Sequence, residues 1–149
     1  MGDAKKKSKK RSATNSRPPR KVTFFVDASL GGKVVAQALR DAGAKIEIHD
    51  DHFAQGTPDE EWLQEVGVRQ WVVLTKDERI RYHNLARTAL LNANVRAFVL
   101  TAKNLRGQEN AEIFVKALPR INRLLSRHQG PFLAKVTRRA AVVMLKISS

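Results

Sequence analysis

The chain has 149 residues, 42% of them hydrophobic, enough for one domain with a single core and some additional tail. It has no cysteine, which excludes disulfides, thiolate nucleophiles and cysteine-ligated zinc and fits a reducing cytoplasm. The formal net charge is +14, no apolar run approaches the roughly 18 residues of a membrane span, and no apolar stretch follows the basic N-terminus as in a secretory signal, so a soluble protein with a polyanionic partner is expected.

Residues 1–20 contain Lys5-Lys6-Lys7, Lys9-Lys10-Arg11 and Arg17-Pro18-Pro19-Arg20 and almost nothing that can be buried. They read as a disordered basic arm, with a domain expected from residue 21 to residue 149. Val22-Thr23-Phe24-Phe25-Val26 is continuously apolar, β-branched and aromatic, the pattern of a strand covered on both faces. Gly31-Gly32 then opens a helix with Val34, Val35, Ala38, Leu39 and Ala42 on one face, and Gly43 closes it. Lys45 to His49 alternates like a less buried strand. Thr57-Pro58-Asp59-Glu60 starts a second helix, with Pro58 at its first position and Glu60 answering Thr57 in a capping box. Trp71 to Leu74 is a third strand, again apolar throughout. A helix over Asn84–Asn92, a strand over Arg96–Leu100 and a long helix from Gln108 to Arg127, with Pro119 inside it, follow. On that long helix Lys116, Arg120, Arg123 and Arg127 form a basic stripe opposite the apolar positions. Phe132–Thr137 and Ala141–Ile147 are expected to close the domain as an antiparallel pair turning near Arg138-Arg139. The alternation of strand and helix predicts a three-layer α/β/α domain with a mostly parallel central sheet.

Charge is unevenly spread along these elements. Through residue 21 there are nine Lys/Arg against Asp3, a net +8. Residues 22–78 carry five Lys/Arg against eleven Asp/Glu, a net −6, and residues 79–149 carry fourteen against Glu109 and Glu112, a net +12. A protein that merely coats a polyanion has no need to concentrate its acids. A phosphodiesterase does: basic surface attracts phosphates while a compact acidic site holds a cation.

In open parallel sheets, ligands bind beyond the carboxyl ends of the strands. Asp27 directly follows the first apolar strand, and Asp77 follows Leu74-Thr75-Lys76 at the end of the third. A carboxylate there is partly desolvated and needs a compensating partner, and a divalent cation between two such groups supplies it. The plainer alternative is that each caps the helix after its strand. At about 100° per residue, Asp59 falls within the stripe of Trp62, Leu63 and Val66, so it faces the core at the start of its helix. Glu61 turns away and enters only as an auxiliary, alongside Thr75, Asp51 and Asn104. Three hard carboxylates suit Mg2+ or Mn2+. Lys76, Arg79 and Arg81 flank Asp77, and Lys103 and Arg106 follow the fourth strand, as candidates for holding phosphates. His49-Asp50-Asp51-His52 offers zinc ligands by type, but in an extended segment the two histidines point to opposite sides.

The segments Phe24-Phe25-Val26-Asp27-Ala28-Ser29-Leu30-Gly31, Thr57-Pro58-Asp59-Glu60-Glu61-Trp62-Leu63 and Val72-Val73-Leu74-Thr75-Lys76-Asp77 together resemble PIN-like nucleases. They resemble most the PIN-like toxins of type II toxin–antitoxin systems, over about Val22 to Leu145. The resemblance implies a PIN-like fold, Mg2+-dependent endoribonuclease activity with Asp27, Asp59 and Asp77 as catalytic and metal-binding acids, an RNA substrate, a cognate antitoxin and a homodimer. One departure stands out. Many PIN nucleases carry a further acid after the next strand, where this chain reads Thr101-Ala102-Lys103-Asn104, which favours one firmly held ion over two. The rival reading is a basic RNA- or DNA-binding protein without catalysis.

Overall fold

The computed structural model describes residues 22–31 and 33–145. The expected basic arm over 1–20, Gly32 and the end of the last expected strand at Ile147 lie outside them. Among the described residues six strands form one sheet: β1 (Thr23–Val26), β2 (Lys45–Ile48), β3 (Val72–Thr75), β4 (Arg96–Leu100), β5 (Phe132–Val136) and β6 (Val142–Leu145). Their order is β2-β1-β3-β4-β5-β6, with every pairing parallel except β5 with β6, which is antiparallel. The alternating strand β2 is an edge strand, as its half-buried pattern requires.

Period-two alternation divides the strand side chains between two cores. On one face Phe24, Val26, Val72, Leu74, Phe98 and Leu100 pack against Val35, Ala36 and Leu39 of α1 (Lys33–Asp41) and Phe114, Ala117 and Ile121 of α5 (Gly107–Arg127). On the other, Phe25, Val73, Ala97 and Val99 pack against Trp62, Leu63 and Val66 of α2 (Asp59–Val68) and Leu90 of α4 (Asn84–Asn92). Helices thus cover both faces of the sheet, the three-layer arrangement that apolar strands demand. A short α3 (Arg79–Tyr82) that the sequence pattern does not announce leads from β3 into α4 and buries Ile80. Among the described residues no helix is long and apolar enough to cross a membrane.

Three local expectations change. In α1, Val34 is exposed and Ala36 is buried, so the apolar face is rotated from the one the spacing implies. At the start of α2 no capping box forms: Pro58 is the cap residue, and the Thr57 hydroxyl instead donates to the Ala54 carbonyl at 2.6 Å. A bond of that kind opens α5, where Glu109 Oε1 accepts from the Arg106 backbone N–H at 2.9 Å. His49 leaves β2 and opens a 3-10 turn over His49–Asp51.

The chain leaves β1 for the edge strand β2 on one side and returns to β3 on the other. The strand order therefore reverses between β1 and β3, and a crevice is expected beyond their carboxyl ends. Asp27 and the Thr75–Asp77 segment stand at that point.

Candidate active site

Asp27 extends the β1–β3 pairing by one step, its N–H donating to the Leu74 carbonyl at 3.0 Å, and its side chain is buried. Its Oδ2 accepts from the Ser29 hydroxyl at 2.7 Å and from the Thr75 hydroxyl at 2.8 Å. A hydroxyl has one hydrogen, so both are committed to Asp27, and the 3.1 Å between the two hydroxyl oxygens is a contact without a proton of its own. The free lone pairs take backbone donors: Lys76 N–H to Ser29 at 3.0 Å and Asp77 N–H to Thr75 at 3.0 Å. The result is a closed network from the end of β3 to one carboxylate oxygen. It satisfies a buried charge at Oδ2 and fixes its direction, while Oδ1 has no partner among the described residues. Asp27 makes no side-chain cap bond to the 3-10 turn that follows it, which removes the capping alternative for this residue.

Asp59, on the first turn of α2, faces the same region. Its Oδ1 accepts from the Trp62 indole N–H at 3.1 Å. Trp62 is itself wedged against Phe25 and His49, with ring centroids 5.5 and 5.9 Å away, so the indole is a rigid handle on Asp59. Asp77 serves two purposes. Its Oδ1 accepts the Arg79 backbone N–H at 3.0 Å, a cap-like bond at the start of α3, and its carboxylate is gripped by the Arg79 guanidinium through Nη2 at 2.6 Å. Burial alone would raise the Asp77 carboxyl, but the side-chain and backbone hydrogen bonds from Arg79 and its positive charge prevail and hold it below the usual carboxylate value. Arg79 in turn is held above its usual value, first by the hydrogen bond to Asp77, then by the charges of Asp59 and Asp77 and, more weakly, Asp27.

Asp27, Asp59 and Asp77 come from three separate elements and line one small pocket of about 10 Å³, with Thr75 beside them and Trp62, Leu63 and Ile80 as apolar wall. A larger cavity of about 270 Å³ adjoins it, sharing Asp59 and Ala86 and lined also by Arg79, Thr57 and His83. By donor type and by place the three carboxylates suit a hard divalent cation. As the side chains stand, no three His, Asp or Glu among the described residues are close enough to hold one ion. The Arg79 guanidinium occupies Asp77 and stands 3.7 Å from Asp59 Oδ2.

The remaining candidates fall elsewhere. Glu61, Asp51 and Asn104 are exposed and do not line the pocket. Lys76 turns towards α5, its Nζ 3.4 Å from Asn110 Oδ1. Arg81 pairs with Glu78 at 3.6 Å and lies over the Tyr82 ring. Lys103 and Arg106 are exposed near the start of α5, where the Lys103 carbonyl accepts from Arg138 at 3.3 Å. The histidines do not form a zinc site: His49 is buried among Phe25, Phe53 and Trp62, whereas His52 pairs with Glu47 at 2.7 Å. Ser29 and Trp62 are the contributors that sequence reasoning passed over. The only signal for Ser29 is its place two residues after a strand-terminal Asp.

This geometry agrees with what the chain is similar to. The family described as "PIN like domain" matches residues 22–102, the stretch that holds all three acids. The chain belongs to the PIN-like domain family. Over a longer stretch, a protein of Mycobacterium tuberculosis named "Putative ribonuclease VapC45" is 31% identical over 117 residues, covering 76% of this chain and 84% of that one. No solved structure matches. The PIN-like match includes β1 to β4 and the reversal point between β1 and β3, so the three acids of this PIN-like chain lie within the matched part.

Proposed function

We propose that this PIN-like protein is a divalent-metal-dependent endoribonuclease, the toxin of a toxin–antitoxin pair, acting on RNA in the cytoplasm. The observation that carries the reading is the convergence of Asp27, Asp59 and Asp77 on one pocket at the strand-order reversal. The relative named as a ribonuclease supports the substrate class. In this reading the three carboxylates hold Mg2+ or Mn2+, which supplies an activated water and a positive charge for the phosphodiester oxygens. The chain's own residues do the rest. Ser29 and Thr75 aim Asp27, Trp62 aims Asp59, and Leu63 and Ile80 keep one wall of the pocket dry. The cavity lined by Thr57, Arg79 and His83 adjoins that pocket and offers room for a nucleotide next to the scissile bond, and the exposed bases Lys103 and Arg106 are the candidates for holding phosphates further along. A cognate antitoxin protein and a homodimer belong to the same proposal.

A second reading is a PIN-like protein that binds RNA or DNA without cutting it. It is favoured by the absence, among the described residues, of three ligands already close enough to hold an ion. Incubation of pure protein with total RNA, with Mg2+ or with EDTA, separates the two. The nuclease reading expects cleavage with Mg2+, none with EDTA, and a loss in Asp27→Asn of at least the ~10–100-fold that removing an outer-shell partner costs at metal sites. RNA retention without cleavage under every condition leaves the second reading.

A further inference from the structure

We propose that Arg79 is the resident counter-ion of the carboxylate pocket, standing in for the divalent cation in metal-free protein and giving up its place when the cation binds. The inference rests on the metal-dependent reading above. The guanidinium meets Asp77 Oδ2 through Nε at 2.9 Å and Nη2 at 2.6 Å, and Nη2 stands 3.7 Å from Asp59 Oδ2. Asp77 Oδ1 is taken as well, by the Arg79 backbone N–H at 3.0 Å and by Nε at 3.2 Å. Asp59 Oδ1 is held by Trp62. An ion shared by Asp59 and Asp77 needs the oxygens that Arg79 now uses, so guanidinium and ion exclude one another.

The sequence builds this arrangement locally. Asp77 accepts the backbone N–H of the residue two ahead, which places the Arg79 side chain next to the carboxylate, and α2 carries Asp59 to the other side of it. The planar fork of arginine suits a carboxylate edge better than a lysine ammonium does. Without any cation, three clustered carboxylates would repel one another, and Arg79 offsets that repulsion. Its side chain is 65% exposed and borders the 270 Å³ cavity, so it has solvent and space to move into. Exposed ion pairs are weak, whereas a doubly charged ion among carboxylates is the largest local charge, so the exchange runs towards the ion.

The test follows the Arg79 Nε–H resonance by proton–nitrogen NMR during a Mg2+ titration, beside calorimetry on wild type, Arg79→Lys, Arg79→Gln and Asp77→Asn. The wild-type resonance is expected to leave its carboxylate-bonded position with a midpoint equal to the calorimetric Kd. Arg79→Gln is expected to bind Mg2+ about 5-fold tighter or more. Its metal-free form should melt below wild type, with the gap closing at saturating Mg2+. Arg79→Lys, which keeps the charge and loses the fork, should fall between. Mg2+ binding that leaves the Nε–H in place overturns the proposal. So does an unchanged affinity in Arg79→Gln while Asp77→Asn loses binding, and that result spares the metal-dependent reading. If neither wild type nor any variant binds Mg2+, that reading fails and this inference with it.

Discussion

At the scale of single residues, the pocket is a set of carboxylates each held by a different donor. Asp27 takes two hydroxyls, Asp59 an indole, and Asp77 an arginine fork and a backbone amide. The Asp77–Arg79 pair has a pH signature. Because Asp77 is held below the unfolded carboxyl value of about 3.9, its contribution to stability is fully present above that value. It is lost as pH falls through the lower, folded value. Arg79 is shifted upward, so its own contribution stays in place through neutral pH. In EDTA, the excess melting temperature of wild type over Asp77→Asn is therefore expected to be level from about pH 5 to 7 and to shrink below about pH 4. An excess that persists unchanged at pH 3 contradicts this account. Asp27, Thr75 and Asp77 were legible because they stand at or just past the carboxyl ends of largely apolar strands, where a polar side chain is at the sheet rim. Asp59 was legible from the helical wheel. The grip of Trp62 on Asp59 was not, since an indole in an apolar pattern looks like ordinary core until its N–H is located.

At the scale of elements, α2 is the part that must be placed accurately, because it brings Asp59 to two strand ends it does not touch in sequence. Its position is set by close packing on α4. A Cβ at Gly67 would overlap the Ala93 backbone carbonyl just after α4, so the two helices approach as they do only because that residue is glycine. Gly67→Ala is expected to lower stability by about 1–3 kcal/mol, the usual scale of overpacking, read as a lower urea midpoint. An unchanged midpoint would mean that α2 moves freely against α4. The strands and the larger helices could be read from periodicity, with α4 and β4 falling at their expected bounds. Helix α3 could not: four residues make a single turn, too short for a repeat to show. The capping box at Thr57 failed for a related reason. Pro58 has no N–H and takes the cap position, and the Thr57 hydroxyl finds the Ala54 carbonyl behind it.

At the scale of the molecule, charge and topology agree. The eleven acids of residues 22–78 include the three that meet at the reversal between β1 and β3, while the fourteen bases of residues 79–149 include the exposed α5 stripe of Lys116, Arg120, Arg123 and Arg127. The sheet order explains how the acids meet: those from the end of β1, from α2 and from the end of β3 converge at the reversal, where Arg79 pairs with Asp77 and approaches Asp59. Parallel order was readable from apolar strands alternating with helices, but the convergence of three remote acids needed the tertiary structure. The central claim is that these three carboxylates grip one ion. Calorimetric titration of Mn2+ into wild type and into Asp27→Asn, Asp59→Asn and Asp77→Asn measures it. The account predicts about one ion per chain and, in every variant, at least the ~10-fold weakening that marks disruption of a metal site. Wild-type affinity retained in any one of the three would contradict it.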